Sequence, residues 1–500
     1  MAPRRIIRYS AAFAIVILVA TSLLLRPQSS KIPTTMKDYQ TQELTWSSCY
    51  DGYQCAKLLV PIDYKKLSTG RFSIQVLKFS ARNQGQKIGS LVINPGGPGA
   101  SGVNYAYNAE FAFNPDILDK YDIVGFDPRG VGLSSPINCL TDKELDESFA
   151  ADSNPTTPKE LKTLIREVRS YIAKCEAKNV NILNYSTADT ARDMDLLRSA
   201  LNEAKLNYLG VSYGTYLGTL YAKFFPDKVG RMVLDGAVDP QATSTEQDLT
   251  QAIGFDTAFR SFIEDCYKRS DCPLAAPQSK AIAQIISIYS QAAKSPLASS
   301  SQRLVTESLI VLGTASALYD SGSGWPKLRE AIREVKIGVG TKFLALADEY
   351  TQRNRDGSYG NNEADAAFVI DCLDWQQDRS TKQIQADAKR FSIEAPIFGP
   401  YLAYAGLSCQ FFPALSLKPD VITTIDTSPV VIVGTTRDPA TPYLWAKALH
   451  KTIRNSRLIS LDGDGHTGYG HGSTCVDSAV DLYFLSGKLP KKDLFCTSTF

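Results

Sequence analysis

A serine between two glycines separates an apolar run from a helix-like stretch near the middle of this chain. The sequence reads GVSYGTYLG over residues 210–218, directly after the apolar run 206–209. Glycine reaches backbone conformations that other residues avoid, so this spacing allows a sharp turn around Ser212. A strand, a sharp turn and a helix in this order would expose the serine hydroxyl, which could then act as a nucleophile.

Short apolar runs recur along the chain and alternate with helical patterns. Strands that are buried on both faces of a sheet read as continuous apolar runs. Their alternation with helices predicts an α/β protein with a mainly parallel sheet. The runs lie at 72–79, 90–93, 121–126, 206–211, 232–234, 430–433 and 458–461.

This alternation stops between residue 239 and about residue 417, where the sequence reads as helices joined by loops. Strands resume only near Pro429. The pattern predicts a core in two parts, 46–239 and 418–500, with a mostly helical cap at 240–417 inserted between two core strands. Helices are expected in the cap at 255–268, 280–293, 325–335 and 342–351.

The N-terminus has the pattern of an export signal. Arg4, Arg5 and Arg8 precede sixteen uncharged residues at 10–25, an order that is typical of a secretory signal. The run approaches the roughly 18 to 20 residues of a membrane span, and no clean cleavage site follows it. Residues 1–30 are therefore expected to be a cleaved signal or an uncleaved anchor, and residues 31–45 an extended tether. We expect a secreted or cell-surface protein.

Ten cysteines fit an exported chain, since an even number in such proteins usually indicates disulfides. The sequence does not fix their connectivity, and our expectation is that neighbours pair in order. The pairs would be Cys49 with Cys55, Cys139 with Cys175, Cys266 with Cys272, Cys372 with Cys409, and Cys475 with Cys496.

Charge and histidine content argue against two classes of ligand. The chain has 54 Lys and Arg against 52 Asp and Glu, and the two signs are interspersed. Nucleic-acid-binding proteins carry a basic patch instead, so we expect no nucleic acid partner. Three histidines and no CxxC pair give little support to a zinc site, and we expect no metal or other cofactor.

A serine nucleophile needs a base, and all three histidines follow Ser212. His466 lies in the glycine-rich LDGDGHTGYG after the run 458–461, and catalytic residues of open α/β sheets gather at strand ends. We favour His466 as the base. His471 in the same loop is its competitor, whereas His450 lies in a helical stretch and is expected to be a surface or packing residue.

The base in turn needs an acid that orients it. Asp438 in VVIVGTTRDPATPY follows the run 430–433 and precedes His466 by 28 residues, enough for a helix and a strand. We favour Asp438. Asp235 in MVLDGAVDP is a second candidate, and a turn or helix-cap role is the alternative for Asp438.

Acyl transfer also needs donors where negative charge develops on the substrate oxygen. The segment LVINPGGPGASG is a strand followed by a glycine-proline loop whose amides can turn toward a ligand. We expect the backbone amides of Tyr213 and Gly97 to be the donors, with Gly96 as the alternative to Gly97. A tight turn without a catalytic role is the competing interpretation.

Six motifs together resemble the secreted tripeptidyl aminopeptidases of actinobacteria, relatives of the proline iminopeptidases in the α/β-hydrolase superfamily. The likeness extends from Trp46 to Cys496. It implies an α/β-hydrolase fold with an inserted helical cap and no cofactor. The motifs are NPGGPGASG, GFDPRGVGLSSP, YSTADTARDMDLLR, NYLGVSYGTYLG, GTTRDPATPY and GDGHTGYGHGSTC.

The resemblance implies serine exopeptidase chemistry on peptide substrates. Ser212 would attack the scissile carbonyl, His466 would take and return the proton, and Asp438 would orient His466. Asn94 stands where proline iminopeptidases usually carry the histidine of HGGPG, a departure that the tripeptidyl aminopeptidases share.

An aminopeptidase must also bind the free α-ammonium group of its substrate. The similar family stretch carries an acid two residues after the cysteine of AAFVIDCLDW, which is Asp374 here, and Asp371 is the alternative. Both could equally be solvated helix charges. Asp127 and Arg129 in DPRG are expected to anchor the loop beside the serine.

Two other functions use the same features. A carboxylesterase or lipase would use the same triad, and the fold does not exclude it. A noncatalytic cell-surface binding protein on this scaffold is disfavoured, because serine, acid and histidine all occur in the order of α/β hydrolases.

Overall fold

The computed structural model describes residues 33–375, 379–413 and 422–498. The predicted export signal at residues 1–30 lies outside the described residues. Among the helices within these ranges, none is both long enough and apolar enough to cross a membrane.

A single sheet of ten strands forms the centre of the described chain. The strands are β1 (Ser47–Cys49), β2 (Tyr53–Pro61), β3 (Arg71–Phe79), β4 (Gly89–Asn94), β5 (Tyr121–Phe126), β6 (Leu206–Val211), β7 (Val229–Asp235), β8 (Val430–Arg437), β9 (Ser456–Asp464) and β10 (Leu494–Thr497). They lie side by side in the order β1-β2-β3-β5-β4-β6-β7-β8-β9-β10. The pairs from β1 to β5 are antiparallel, and every pair from β5 to β10 is parallel. The prediction of a mainly parallel sheet is confirmed.

All seven predicted strands are present, and three further strands were missed. β2 has exposed and half-buried positions among its buried ones, so it lacks the continuous apolar run of a strand covered on both faces. β1 and β10 are the sheet edges and have only three and four residues. Such short strands carry too few residues for a periodic signal.

Alternate residues of the central strands enter two different cores, one on each face of the sheet. In β8, Val430 and Ile432 pack on one face, and Val431 and Val433 pack on the other. Neighbouring side chains of a strand point to opposite faces. Because helices cover both faces, both sets are buried, which explains the unbroken apolar runs of the sequence.

Nineteen helices occur in the described chain. They are α1 (Met36–Gln40), α2 (Gly102–Tyr107), α3 (Ala109–Ala112), α4 (Pro115–Lys120), α5 (Asp142–Ala150), α6 (Pro158–Lys178), α7 (Thr187–Ala200), α8 (Tyr213–Phe224), α9 (Ser244–Tyr267), α10 (Gln278–Lys294), α11 (Glu307–Leu318), α12 (Gly324–Val335), α13 (Thr341–Thr351), α14 (Glu363–Asp374), α15 (Thr381–Glu394), α16 (Gly399–Leu402), α17 (Leu407–Gln410), α18 (Tyr443–Thr452) and α19 (Thr474–Ser486). Short 3-10 turns occur at Leu67–Thr69, Gln84–Gln86, Ile182–Asn184 and Pro226–Lys228.

The expectation of an extended tether at residues 31–45 is wrong for its described part. Thr35 caps α1, where its side chain and that of Asp38 form a capping box. Tyr39 of this helix is buried in the main core. A helix of five residues gives almost no periodic signal, and the burial of one tyrosine is what holds it in place.

Helices α9 to α17 lie between β7 and β8 in the sequence, where the cap was expected. Most of their apolar side chains form a core of their own, which includes Phe259, Phe262, Leu328 and Phe343. Helix α14 differs, because its apolar face packs into the main core. This helix therefore joins the inserted segment to the sheet. The expected boundary at residue 417 lies outside the described residues.

The five predicted disulfides are confirmed. Cys49–Cys55, Cys139–Cys175, Cys266–Cys272, Cys372–Cys409 and Cys475–Cys496 are bonded, which leaves no free cysteine in the described chain. The fourth bridge joins α14 to α17, and the fifth joins α19 to β10. Five bridges are typical of proteins that fold in an oxidising compartment.

Candidate active site

Ser212 lies on a sharp turn between β6 and α8. Its backbone has φ of +56° and ψ of −126°, a left-handed conformation that costs energy for a residue with a side chain. A Cβ atom at Gly214 would lie 2.7 Å from Asn94 Oδ1, and one at Gly210 would lie 2.3 Å from the Gly214 carbonyl oxygen. Both glycines are therefore required by close packing, as the spacing predicted.

His466 and Asp438 form the central contact of the site. Nδ1 of His466 lies 3.0 Å from each carboxylate oxygen of Asp438. Asp438 is only 2% exposed, and its carboxylate also accepts hydrogen bonds from the backbone of Ala440, Thr441 and Thr467. These donors hold the carboxylate in one orientation, so the histidine ring is held with it.

The environment of His466 favours its protonated form. Burial opposes the charge, but the Asp438 carboxylate outweighs that effect and raises the pKa of His466 above its ordinary value. A base that gains a proton during reaction is stabilised by an adjacent fixed carboxylate. The pair is thus arranged to support an imidazolium ion.

The three alternative residues have other contacts. Asp235 accepts hydrogen bonds from the backbone amides of Gly468 and Tyr469, so it anchors the loop that carries His466. His471 is exposed. His450 Nδ1 lies 2.7 Å from Ser456 Oγ at the start of β9.

Ser212 and His466 are brought to the same place through β7. The backbone amide of Ser212 donates to the carbonyl of Asp235 at 2.8 Å. A Cβ atom at the next residue, Gly236, would lie 3.2 Å from Cε1 of His466. The hydrogen bonds of the described chain do not include one from Ser212 Oγ to His466; such catalytic contacts often tighten only when substrate binds.

The loop after β4 packs directly on the serine turn. A Cβ atom at Gly96 would lie 2.7 Å from the Val211 carbonyl oxygen and 2.9 Å from Ser212 Cβ. The Gly96 amide donates to Asn94 Oδ1 at 3.0 Å. The amide of exposed Gly97 has no acceptor among the described residues, and neither has that of Tyr213 at the start of α8. These are the two amides that were expected from the sequence to donate hydrogen bonds to the oxyanion.

A tyrosine of the inserted segment packs against His466, and no pattern in the sequence indicated it. The His466 amide donates to the Tyr319 carbonyl at 2.8 Å, and the two rings pack edge to face with centroids 5.2 Å apart. Tyr319 follows α11 directly. The inserted segment therefore reaches the proposed catalytic histidine.

Asp374 is buried, and both of its carboxylate oxygens are bonded to Thr187. One of its oxygens accepts from the Thr187 amide at 3.0 Å, and the other accepts from the Thr187 hydroxyl, which also contacts the Tyr213 hydroxyl. Burial raises the pKa of Asp374 to about 7. Asp371 lies on the same helix, where burial and the neighbouring Asp374 and Asp248 charges raise its pKa. The assignment of Asp374 to the substrate amine stays a prediction.

Asp127 and Arg129 anchor the DPRG loop, but not through each other. Asp127 accepts from the Ser101 hydroxyl and from the amides of Val103 and Leu133. Arg129 instead forms a bidentate pair with Asp193 of α7.

The described residues were also compared with the requirements of a metal site. Nowhere in the described ranges do three or more His, Cys, Asp or Glu side chains group as they would around a metal ion.

The fold and the site can now be compared with known proteins. The family model of the alpha/beta hydrolase fold matches residues 89–472, well over half of the chain. The chain belongs to the α/β-hydrolase family. This α/β hydrolase is 35% identical over 478 residues to serine protease Hip1 of Mycobacterium tuberculosis (strain CDC 1551), with 91% of each chain covered.

Two further relatives carry different names. Carboxylesterase B of the same organism is 35% identical over 472 residues, which cover 90% of this chain and 89% of that protein. Tripeptidyl aminopeptidase of Streptomyces lividans is 31% identical over 470 residues, which cover 91% of this chain and 86% of that protein. The resemblance to tripeptidyl aminopeptidases is confirmed, and this α/β hydrolase is a serine hydrolase.

Proposed function

We propose that this chain is an exported serine exopeptidase that removes a short peptide from the free N-terminus of its substrate. The observation that carries the proposal is the buried Asp438 bonded to His466 beside the strained turn of Ser212. Relatives named serine protease and tripeptidyl aminopeptidase support peptide substrates.

The proposed chemistry assigns one step to each group. His466 accepts the Ser212 proton as the serine oxygen attacks the scissile carbonyl carbon. The tetrahedral oxyanion accepts hydrogen bonds from the amides of Tyr213 and Gly97, and the positive end of α8 adds to its stabilisation. His466 then donates the proton to the leaving amine, and water hydrolyses the acyl-enzyme by the same steps in reverse order.

A carboxylesterase is the second candidate. The relative named carboxylesterase B is as similar to this chain as serine protease Hip1, at 35% identity. An ester substrate would need the same serine, histidine and oxyanion donors. The two functions differ in whether the site requires a free amine on the acyl side of the cleaved bond.

The test measures turnover of fluorogenic amides that carry one, two or three residues, each with a free and with an acetylated N-terminus, and of a short acyl ester. Hydrolysis of the free-amine amides without hydrolysis of their acetylated forms supports the exopeptidase, and the preferred length gives the number of residues removed. Equal turnover of free and acetylated amides, or turnover of the ester alone, would refute it and favour the esterase. Ser212→Ala is the control: it should lose nearly all turnover while the protein stays folded, and substantial residual activity would contradict Ser212 as the nucleophile.

Export is a separate part of the proposal. Five disulfides support an extracytoplasmic location, and the N-terminal sequence supports a signal or an anchor. Expression of the full chain with a C-terminal tag, followed by separation of medium, membrane and cytosol, tests it. Recovery of oxidised protein in the medium or on the membrane supports export, and recovery in the cytosol alone rejects it.

A further inference from the structure

A glutamate of the inserted segment lies against the loop that carries Gly97. Glu363 is the first residue of α14, the helix that joins this segment to the sheet. A Cβ atom at Gly99 would lie 2.7 Å from the Glu363 carbonyl oxygen, and one at Gly97 would lie 3.4 Å from Glu363 Oε1. The carboxylate therefore lies close to Gly97, the residue whose amide is assigned to the oxyanion.

The charge of the same carboxylate acts on the tyrosine that packs against His466. The Tyr319 and Tyr350 hydroxyl oxygens lie 3.4 Å apart. Partial burial raises the pKa of both tyrosines, and the Glu363 charge adds to the rise in each. Glu363 thus lies against the Gly97 loop, and its charge acts on both tyrosines.

Glu363 has no cationic partner among the described residues. Its one side-chain contact there is with Gln352, whose Nε2 lies 3.4 Å from Oε2. Burial raises the pKa of Glu363 to about 7, because nothing nearby compensates the negative charge. A carboxylate that is half removed from water and lacks a cation is a favourable place for one to bind.

We propose that Glu363 binds the free α-ammonium group of the substrate and so determines specificity for N-termini. The inference rests on the proposed exopeptidase function and names the residue that would recognise the free N-terminus. Glu363 suits the role better than Asp374, because the Asp374 oxygens already accept hydrogen bonds from Thr187. A substrate ammonium at Glu363 would meet a carboxylate with unused acceptor capacity.

The position of Glu363 also limits the length of the removed peptide. With hydrogen bonds of about 3 Å at each end, an ammonium on Glu363 and a carbonyl oxygen on the Gly97 amide lie at most about 12 Å apart. An extended chain spans about 3.4 Å per residue. An extended acyl segment of up to three residues fits between the two points, whereas a longer segment would have to bend.

The experiment compares Glu363→Gln with the unmodified enzyme, both as full chains. The substrates are a free-amine peptidyl amide with neutral side chains, its acetylated form, and a short acyl ester. We expect kcat/KM on the free-amine amide to fall about tenfold to hundredfold, mainly through KM, because a hydrogen bond to a charged group is lost. Ester turnover should not fall, because the ester has no amine to bind, and the preference for the free amine disappears.

Three results separate the possible failures. If Glu363→Gln keeps the preference for the free amine, or lowers turnover of all three substrates equally, Glu363 does not bind the amine. If the unmodified enzyme shows no such preference, the exopeptidase proposal itself fails. Glu363→Asp should keep part of the preference, and an acetylated lysyl amide that depends on Glu363 would show that a side-chain ammonium is bound instead.

Discussion

Nδ1 of His466 lies 3.0 Å from both carboxylate oxygens of a nearly fully buried Asp438. This contact fixes which ring nitrogen carries the proton, and it leaves Nε2 for the serine. The contact also raises the pKa of His466, so it has a consequence for the pH dependence of the reaction.

The acid limb of the pH profile should lie above the ordinary histidine value of 6.5. His466 must be neutral to accept the Ser212 proton, and its raised pKa means that it becomes protonated at a higher pH than an unpaired histidine. The profile of kcat/KM with a short acyl ester checks this, because the ester has no titrating amine. A midpoint below pH 6 would contradict the assignment.

Asp438→Asn should lower kcat by about 10⁴-fold, because the amide no longer holds the histidine in the required tautomer. The residual activity should also have its acid limb at lower pH, since the charge that raises the pKa of His466 is gone. Asp235→Asn is the matched control: its oxygen can still accept from Gly468 and Tyr469, so most activity should remain. Equal losses in the two variants would count against Asp438.

Replacement of each loop histidine by alanine separates His466 from His471. His466→Ala should lose nearly all turnover, because no other base contacts Asp438. His471→Ala should keep turnover within about twofold of the unmodified enzyme, since exposed substitutions change little. A large loss in His471→Ala alone would reverse the choice between the two residues.

Gly214→Ala should both destabilise the protein and lower its activity. The added methyl group would lie 2.7 Å from Asn94 Oδ1, so the Ser212 turn or the β4 loop must shift, at a cost of about 1 to 3 kcal/mol. Gly85→Ala is the control, because its methyl group would meet nothing closer than 3.6 Å. Denaturant unfolding and ester turnover measure both effects, and an unchanged Gly214→Ala would contradict the close packing.

Arg129→Met should destabilise the fold by about 3 to 5 kcal/mol, because it leaves the buried Asp193 carboxylate without its cation. Arg454→Ala removes an ion pair with Asp426 whose side chains are 65% and 72% exposed, and should cost less than about 1 kcal/mol. Chemical denaturation of both variants gives the comparison. Similar free energies of unfolding would mean that the Arg129 pair contributes no more than a surface pair.

The sequence by itself determined the features that local patterns encode. Short β-rich runs predicted seven strands, β3 to β9, and most of these runs are apolar throughout because both faces of the strand are covered. The glycines around Ser212 predicted the sharp turn. The structure shows why glycine is needed there, because a Cβ atom at Gly214 would meet Asn94 and one at Gly210 would meet the Gly214 carbonyl. The sequence left the cysteine connectivity open, and the expectation that neighbours pair in order is confirmed for all five disulfides.

The tertiary structure decided the features that depend on residues far apart in the chain. Asp438 and Asp235 both follow a strand, and only folding shows that one accepts from His466 and the other from the Gly468 amide. The sequence does not distinguish the amides of Gly96 and Gly97 as oxyanion donors. The structure does, because the Gly96 amide donates a hydrogen bond to the Asn94 side chain. No sequence pattern indicated Glu363 as a site residue. Its proximity to Gly97 arises only when α14 packs against the sheet. Such long-range packing leaves no periodic pattern in the sequence.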